Sequence, residues 1–284
     1  MTGDSTSAAR RAIAVLGAGY VGRAAAMSLA AGGAAVWAVR RSATSGPDAD
    51  GVTWCTGDVA RGVIDGLPPR LDAVVLTIAP GRGDDDYVST YVAGARGALA
   101  LARATGARLV YTSSTGVYGV HDGSEVTEAT PLRGAGPSND ALRRAEAVLL
   151  EADDVAAVVL RVAGIYGPGR DPAARYRDPA TLALGGEAWV NLAHRDDIVR
   201  AIAHAVARDD LPRVLNCADG APATARTICG WLAERRGVDP ATLAFTGTSA
   251  PARSNQRVSS AALQATGWRP QWPTFRDGLA ALGH

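Results

Sequence analysis

The chain has 284 residues, of which 47% are hydrophobic, enough for one large domain or one domain with a smaller lobe. Its formal net charge of +1 argues against the basic surface expected of a nucleic-acid-binding or membrane-surface protein. All 29 basic residues are arginine. The absence of lysine excludes a Schiff-base lysine, a Walker A lysine and any lysine acid or base.

Neither targeting segments nor metal motifs stand out. Residues 1–10 are small and polar, which predicts a disordered tail and no signal peptide. No apolar run approaches the roughly 18 residues of a membrane span. The three cysteines and four histidines are scattered, so we expect no disulfide framework, no metal site and a cytoplasmic location.

Short apolar runs alternate with helical segments from residue 12 to Gly164. The run 12–16 is followed by a glycine turn, a small-residue helix over 23–31 and a second strand over 34–39, which together form a βαβ unit. Further strands are predicted over 52–55, 72–78, 108–112, 155–162 and 214–217, and helices over 87–104, 140–151 and 196–208. This alternation predicts an α/β fold, a Rossmann-like doubly wound parallel sheet.

The alternation stops after Gly164. We expect a dinucleotide-binding domain over 11–167, to which 195–217 returns. A smaller C-terminal substrate-binding lobe is expected from 168–194 and 218–284, with helices predicted over 223–236 and 278–282.

The glycine turn has the pattern Gly17-x-Gly19-x-x-Gly22 between a strand and a helix. Gly17 permits the tight turn, Gly19 lets the backbone approach a pyrophosphate, and Gly22 lets the helix pack closely on the sheet. The N–H groups of Tyr20 and Val21 open the helix, where phosphate binds favourably. A tight turn without a ligand is the alternative.

The end of the second strand predicts the type of dinucleotide. An NAD site has an acidic residue there, whereas this chain has Arg40, Arg41 and Ser42. Guanidinium groups pair with a 2′-phosphate, so NADP is favoured over NAD, unless these arginines merely end a strand in solvent. Asp58 and Val59 follow the third strand and Ala79 the fourth; we include all three in the predicted cofactor site, although Asp58 is equally interpretable as a turn residue.

Several segments together resemble the extended short-chain dehydrogenase/reductase family of the NAD-dependent epimerase/dehydratase type. They span nearly the whole chain: the glycine turn 17–22, Tyr-Thr-Ser-Ser-Thr-Gly-Val-Tyr-Gly at 111–119, Arg-Val-Ala-Gly-Ile-Tyr-Gly-Pro-Gly at 161–169, and Val-Asn-Leu-Ala-His-Arg-Asp-Asp at 190–197.

The resemblance implies an active site of Ser or Thr, Tyr and Lys, with the Tyr and Lys four residues apart on one helix. Ser114 matches the Ser or Thr. If Glu146 matches the family's glutamate on that helix, Leu142 stands at the lysine position and Ser138 at the tyrosine position. The chain is therefore identified as an atypical member that lacks the Tyr-x-x-x-Lys pair.

Replacement acids or bases are expected at the carboxyl edge of the sheet, where the strand ends converge. Tyr118 and His121 follow the fifth strand and Tyr166 follows the sixth, so with Ser114 they are the predicted catalytic residues. The alternatives are packing tyrosines and a solvent-exposed loop histidine. Arg170, in the variable region, is either a substrate ligand or a solvated side chain.

Three functions remain open from the sequence. The first is an NADP-dependent oxidoreductase or epimerase/dehydratase-type enzyme that acts on a small carbonyl or hydroxyl metabolite with a non-standard proton donor. The second is a non-redox lyase, isomerase or cyclase on the same scaffold, and the third is an inactive NADP-binding regulator. The expected partner is a small-molecule substrate, and alanine-rich helices over 87–104 and 140–151 are compatible with a homodimer.

Overall fold

The computed structural model describes residues 10–42, 51–81, 86–182, 185–246 and 254–284. The predicted disordered tail therefore lies outside the described residues, except for Arg10. None of the helices in these ranges combines the length and apolarity that crossing a membrane requires.

The described strands, in chain order, are β1 Ala12–Leu16, β2 Ala35–Arg40, β3 Val52–Asp58, β4 Val63–Ile64, β5 Ala73–Leu76, β6 Arg108–Ser114, β7 Glu125–Val126, β8 Ala157–Val162, β9 Gly164–Tyr166, β10 Trp189–Val190, β11 Leu192–His194, β12 Val214–Cys217, β13 Ala223–Thr224 and β14 Arg257–Val258. The described α-helices are α1 Tyr20–Ala31, α2 Gly94–Thr105, α3 Pro137–Leu150, α4 Ala173–Tyr176, α5 Arg195–Ala207, α6 Ala225–Glu234, α7 Ala261–Ala265 and α8 Phe275–Ala281.

One eight-stranded sheet dominates the described part of the chain, in the order β12-β8-β6-β5-β1-β2-β3-β4. Its strand pairs are parallel except for β3 with β4, which is antiparallel. The chain starts in the middle of the sheet at β1, moves to one edge and then crosses to the other side. This order confirms the predicted Rossmann-like doubly wound sheet.

Both faces of the sheet are covered, which explains why its strands read as continuous apolar runs. On β1, Ile13 and Val15 join a buried cluster with α1 and α5, whereas Ala14 and Leu16 join a second cluster with α2 and α3. This alternation follows from the two-residue repeat of a strand. Both clusters support the strand ends from which the site is built.

The C-terminal part has its own apolar cluster, to which α4, α6 and α8 contribute. Tyr166, Ile228 and Phe275 are among its buried members. The pairing of β10 with β13 joins the two segments of this lobe, and the pairings of β9 with β11 and β7 with β14 connect it to the loops above the large sheet. That the lobe binds a substrate stays a prediction.

The segment after β5 differs from the sequence-based expectation of a single helix over 87–104. Val88–Ala93 form a π-helical turn, and only then does α2 begin at Gly94. A Cβ on Gly94 would lie 2.1 Å from Cδ1 of Ile78, so any larger residue there would require the Ile78 side chain to move. π-helical turns are rare and occur frequently at functional sites.

Candidate functional site

A cavity of about 690 Å³ opens at the carboxyl edge of the large sheet. Its wall is formed where β1, β2, β3, β5, β6 and β8 end. The cavity therefore spans the point beside β1 where the strand order reverses, which is where ligands bind in open α/β sheets. Its volume suits a dinucleotide or a drug-sized ligand.

The structure brings most of the predicted cofactor residues together on this wall. Those that line the cavity are Gly17, Gly19, Tyr20, Val21, Arg40, Arg41, Ser42, Asp58, Val59 and Ala79. Gly22 does not line it but packs beneath it, since a Cβ there would lie 2.4 Å from both the Gly17 carbonyl oxygen and the Thr77 Oγ1. Gly22 thus serves the close packing of α1 that the sequence predicted.

The glycine turn is shaped for an anionic ligand. Gly17 adopts φ +89°, and a Cβ there would lie 2.8 Å from the Ile78 backbone nitrogen. A Cβ on Gly19 would meet nothing closer than 3.9 Å, so the backbone at Gly19 is open to approach. The N-terminus of α1 has no side-chain cap and no acidic residue in its first turn. Its N–H groups and positive helix dipole therefore fit a pyrophosphate.

Arg40 reaches this wall because β2 is tied to the turn. The backbone N–H groups of Gly17 and Ala18 both donate to the Val39 carbonyl, at 3.1 and 3.0 Å. The next residue, Arg40, is half-buried on the cavity wall.

The Asp58 carboxylate caps the short helix Val59–Arg61 by accepting from the Ala60 N–H at 3.0 Å.

Tyr20 connects the glycine turn to the loop after β9. Its hydroxyl donates to the Pro168 carbonyl at 3.0 Å, and burial raises its pKa. The guanidinium carbons of Arg170 and Arg195 lie 5.9 and 5.4 Å from the Tyr20 ring centre. Arg170 also lines the cavity, so it adds positive charge beside the turn.

Ser114 lies on the cavity wall at the end of β6. Its Oγ accepts from the Gly116 N–H at 3.1 Å and so caps the short helix Thr115–Val117. The Ser114 hydroxyl proton can still be donated to a substrate oxygen, because capping uses only a lone pair.

The other predicted catalytic residues lie off the cavity wall. The Tyr118 hydroxyl is buried, donates to Asn216 Oδ1 at 2.6 Å and accepts from Arg161 at 3.0 Å. The Tyr166 hydroxyl is buried against Gly278 without a hydrogen-bond partner among the described residues, and burial raises its pKa well above the ordinary value. His121 is exposed. The geometry gives these three assignments no support.

Sequence reasoning missed Tyr91, which lines the cavity together with Ser114 and Leu142. It lies in the π-helical turn that follows β5, at the same sheet edge as the predicted residues. Tyr91 falls inside the helix predicted over 87–104, where no sequence motif indicated a functional role.

No group of three or more His, Cys, Asp or Glu side chains is arranged to hold a metal ion within the described ranges. The arrangement of open glycine turn, helix N-terminus and arginines instead suits a phosphorylated organic ligand.

Comparisons with known proteins identify the family. A model of the NAD dependent epimerase/dehydratase family matches residues 13–218. Protein YeeZ of Escherichia coli (strain K12) is 32% identical over 206 residues, which cover 67% of this chain and 71% of the relative. A 3-diazoavenalumate denitrifying reductase from Streptomyces sp is 30% identical over 297 residues, which cover 92% of this chain and 96% of the relative.

Solved structures extend the likeness over nearly the full chain. A structure from Methylobacillus flagellatus assigned to the NAD-dependent epimerase/dehydratases superposes with a TM-score of 0.76 at 28% identity and covers 96% of this chain and 99% of that one. MoeE5 in complex with UDP-glucuronic acid and NAD gives a TM-score of 0.74 at 26% identity, covering 95% of this chain and 96% of that one. The strand order and the family match over 13–218 lead to one conclusion: this chain belongs to the NAD-dependent epimerase/dehydratase family.

Proposed function

We propose that the protein is an NADP-dependent oxidoreductase that acts on a small carbonyl or hydroxyl metabolite. The observation that carries this proposal is the position of Arg40 on the same cavity wall as the Gly17–Gly22 turn, with Arg41 and Ser42 beside it. An acidic residue at this strand end would bind the ribose 2′-hydroxyl of NAD, whereas a guanidinium pairs with the 2′-phosphate of NADP.

Each part of the wall then has a role. Gly19 and the N-terminus of α1 hold the pyrophosphate, and Arg170 adds positive charge from the loop after β9. Ser114 donates a hydrogen bond to the substrate oxygen. Bound NADP(H) would supply or accept the hydride, which is the difficult chemical step.

The apolar Leu142 is the main departure from family chemistry. It is buried, lines the cavity and stands where the family resemblance expects lysine. No cation there lowers the pKa of a neighbouring phenol or holds the nicotinamide ribose. Loss of a general acid typically costs about 10²- to 10⁴-fold in rate, so either another acid serves or the substrate needs none.

The second alternative is favoured by the Streptomyces relative, which is named as a denitrifying reductase of a diazo compound. When a hydride replaces a diazonium group on carbon, dinitrogen leaves with the electrons of the broken C–N bond. No oxygen has to be protonated in that step. A reductase of this class would operate without the Tyr and Lys, and it is our second candidate function.

Calorimetric titration of NADPH and NADH into the purified protein, checked beforehand for co-purified cofactor, tests the proposal. We expect NADPH to bind with micromolar affinity and NADH at least about tenfold more weakly, since one lost charged pair costs 1.4 kcal/mol or more. Equal binding of both would contradict the 2′-phosphate assignment. If neither NADPH nor NADH binds, the result would instead favour cofactor-free chemistry on this scaffold.

Oxidation of NADPH by a panel of aldehydes and ketones headed by 4-nitrobenzaldehyde then separates enzyme from regulator. Turnover supports the oxidoreductase. Aryl diazonium salts are included as acceptors, and their rates are corrected for the uncatalysed reaction. If the protein binds NADPH tightly but reduces none of these acceptors, an inactive NADP-binding regulator is favoured.

A further inference from the structure

A tyrosine on a helix that the family-like motifs do not include lines the cavity. Tyr91 is half-buried in the π-helical turn Val88–Ala93 and lines the same wall as Ser114. We propose that Tyr91 is a catalytic residue of this protein, the proton donor to the substrate oxygen in carbonyl reduction. This inference rests on the proposed oxidoreductase function and names its missing acid.

The position of Tyr91 is set by α3. The π-helical turn packs against α3, and the Ser138 side chain near the start of that helix lies close enough to the Tyr91 hydroxyl to lower its pKa. Ser138 is the residue that the resemblance assigns to the family's tyrosine position. The structure therefore places the phenol of Tyr91, from the neighbouring helix, beside the family's tyrosine position. The family's lysine position, one turn further along α3, is occupied by the apolar Leu142.

The surroundings of Tyr91 suit an acid better than a base. Burial and the stacked Tyr87 ring, 6.4 Å away between centres, raise its pKa, and only the Ser138 hydrogen bond opposes them. No arginine among the described residues contributes to the pKa of Tyr91, so the phenol keeps its proton at neutral pH.

The proton balance follows from this. Hydride from the reduced nicotinamide forms the new C–H bond at the carbonyl carbon, and the electrons of the C=O π bond move to oxygen. Ser114 donates a hydrogen bond to that oxygen, and Tyr91 gives it the proton of its hydroxyl. The resulting phenolate regains a proton from water at the open side of the cavity.

The contact with Ser138 is tested on the protein without cofactor. In protein labelled with ¹³Cζ-tyrosine, the Tyr91 signal is assigned by its absence from Tyr91→Phe and followed as a function of pH. We expect its pKa to lie above that of an exposed tyrosine and to rise further in Ser138→Ala, because the alanine cannot donate a hydrogen bond to the phenolate. A Tyr91 signal that titrates identically in Ser138→Ala would overturn the proposed placement.

The catalytic role is tested with Tyr91→Phe, and Tyr87→Phe is the matched control. Tyr87 stacks on Tyr91 but does not line the cavity. With NADPH and 4-nitrobenzaldehyde we expect kcat of Tyr91→Phe to fall by about 10²- to 10⁴-fold while the Kd for NADPH stays within twofold. Tyr87→Phe should retain kcat within about threefold, as expected for a residue that contacts neither ligand.

Two results separate this inference from the proposed function. If wild-type protein reduces the aldehyde and Tyr91→Phe does so at the same rate, Tyr91 is not the donor, although the oxidoreductase assignment stands. If wild-type protein binds no NADPH, the titration described above has already rejected the proposed function before any variant is compared.

Discussion

The guanidinium of Arg161 on β8 donates to both carboxylate oxygens of Glu146 on α3, with Nη2 2.8 Å from Oε2. The two side chains are only 5% and 1% exposed. Ser113, on the cavity wall, donates to the same carboxylate at 2.5 Å, and Tyr118 accepts from Arg161. This buried pair therefore fixes α3 relative to the sheet directly behind the candidate site.

Removal of one partner should destabilise the protein more than removal of both. Glu146→Leu leaves a buried guanidinium without a counter-charge, which typically costs about 3–5 kcal/mol of unfolding free energy. The double variant Glu146→Leu, Arg161→Met should be more stable than Glu146→Leu alone, because no uncompensated charge remains. Urea unfolding followed by circular dichroism measures the free energy of unfolding of the wild type, the single variant and the double variant.

The control for this comparison is an exposed ion pair. Arg103 and Asp154 are paired at the surface with side chains 50% and 56% exposed, so Asp154→Asn should change the unfolding midpoint little. If Glu146→Leu is as stable as wild type, the buried pair does not hold α3 in place.

Gly19 and Gly22 should respond differently to alanine. A Cβ on Gly19 would meet no atom closer than 3.9 Å, whereas one on Gly22 would lie 2.4 Å from the Gly17 carbonyl oxygen. Gly19→Ala should therefore keep the wild-type melting temperature and weaken NADPH binding at least about tenfold, because the methyl group stands where a pyrophosphate approaches. Gly22→Ala should lower the melting temperature and also weaken NADPH binding.

Thermal unfolding and NADPH titration of the two variants measure these effects. Unchanged NADPH affinity in Gly19→Ala would show that the turn is a tight βα connection and not a phosphate site.

The sheet was predictable because its signal is local. Each strand of the large sheet, except the two-residue β4, overlaps a predicted apolar run in the sequence. Strands β5 and β8 are buried throughout. The glycine turn was equally readable, since both the turn and the close helix packing require glycine at specified spacings. Most of the predicted cofactor residues consequently reach one cavity wall.

The candidate catalytic residues were less predictable because they depend on tertiary packing. Tyr118 and Tyr166 follow strand ends, yet one is bound by Arg161 and Asn216 and the other faces Gly278. Sequence position specifies the edge of the sheet but not the direction of a side chain beyond it. Tyr91 reaches the cavity through a π-helical turn that no sequence pattern indicated.

Arg40 should determine the preference for NADPH. Arg40→Ala is expected to raise the Kd for NADPH by about 10- to 100-fold, as one charge-assisted pair is worth about 1.5–3 kcal/mol, and to leave the Kd for NADH nearly unchanged. The matched control is Arg70→Ala, because Arg70 is exposed and absent from the cavity wall.

Calorimetric measurement of both Kd values at two salt concentrations tests this prediction. The difference between wild type and Arg40→Ala should shrink at high salt, since screening weakens the pairing with a dianionic phosphate. An equal loss of NADPH and NADH affinity would mean that Arg40 supports the fold of the site and does not bind the 2′-phosphate.

Asp219 should make the stability of the protein depend on pH. The residue is 5% exposed and accepts a hydrogen bond from the Ala221 N–H at 3.0 Å. Burial raises its pKa to about 7, and the Asp197 and Asp277 carboxylates act in the same direction. Between about pH 4 and 7 the folded state therefore binds more protons at this site than the unfolded state, and stability falls as pH rises.

Asp219→Asn should remove that loss while it keeps an oxygen acceptor for Ala221. The variant should be more stable than wild type at pH 8 by at most about 4 kcal/mol, since each pKa unit corresponds to about 1.4 kcal/mol, and the gain should vanish near pH 4. Urea unfolding from pH 4 to 8 measures the difference, and Asp153→Asn, whose side chain is 95% exposed, is the control. A constant difference across this range would indicate a packing effect, because only titration of the Asp219 carboxyl produces a gain confined to the higher pH values.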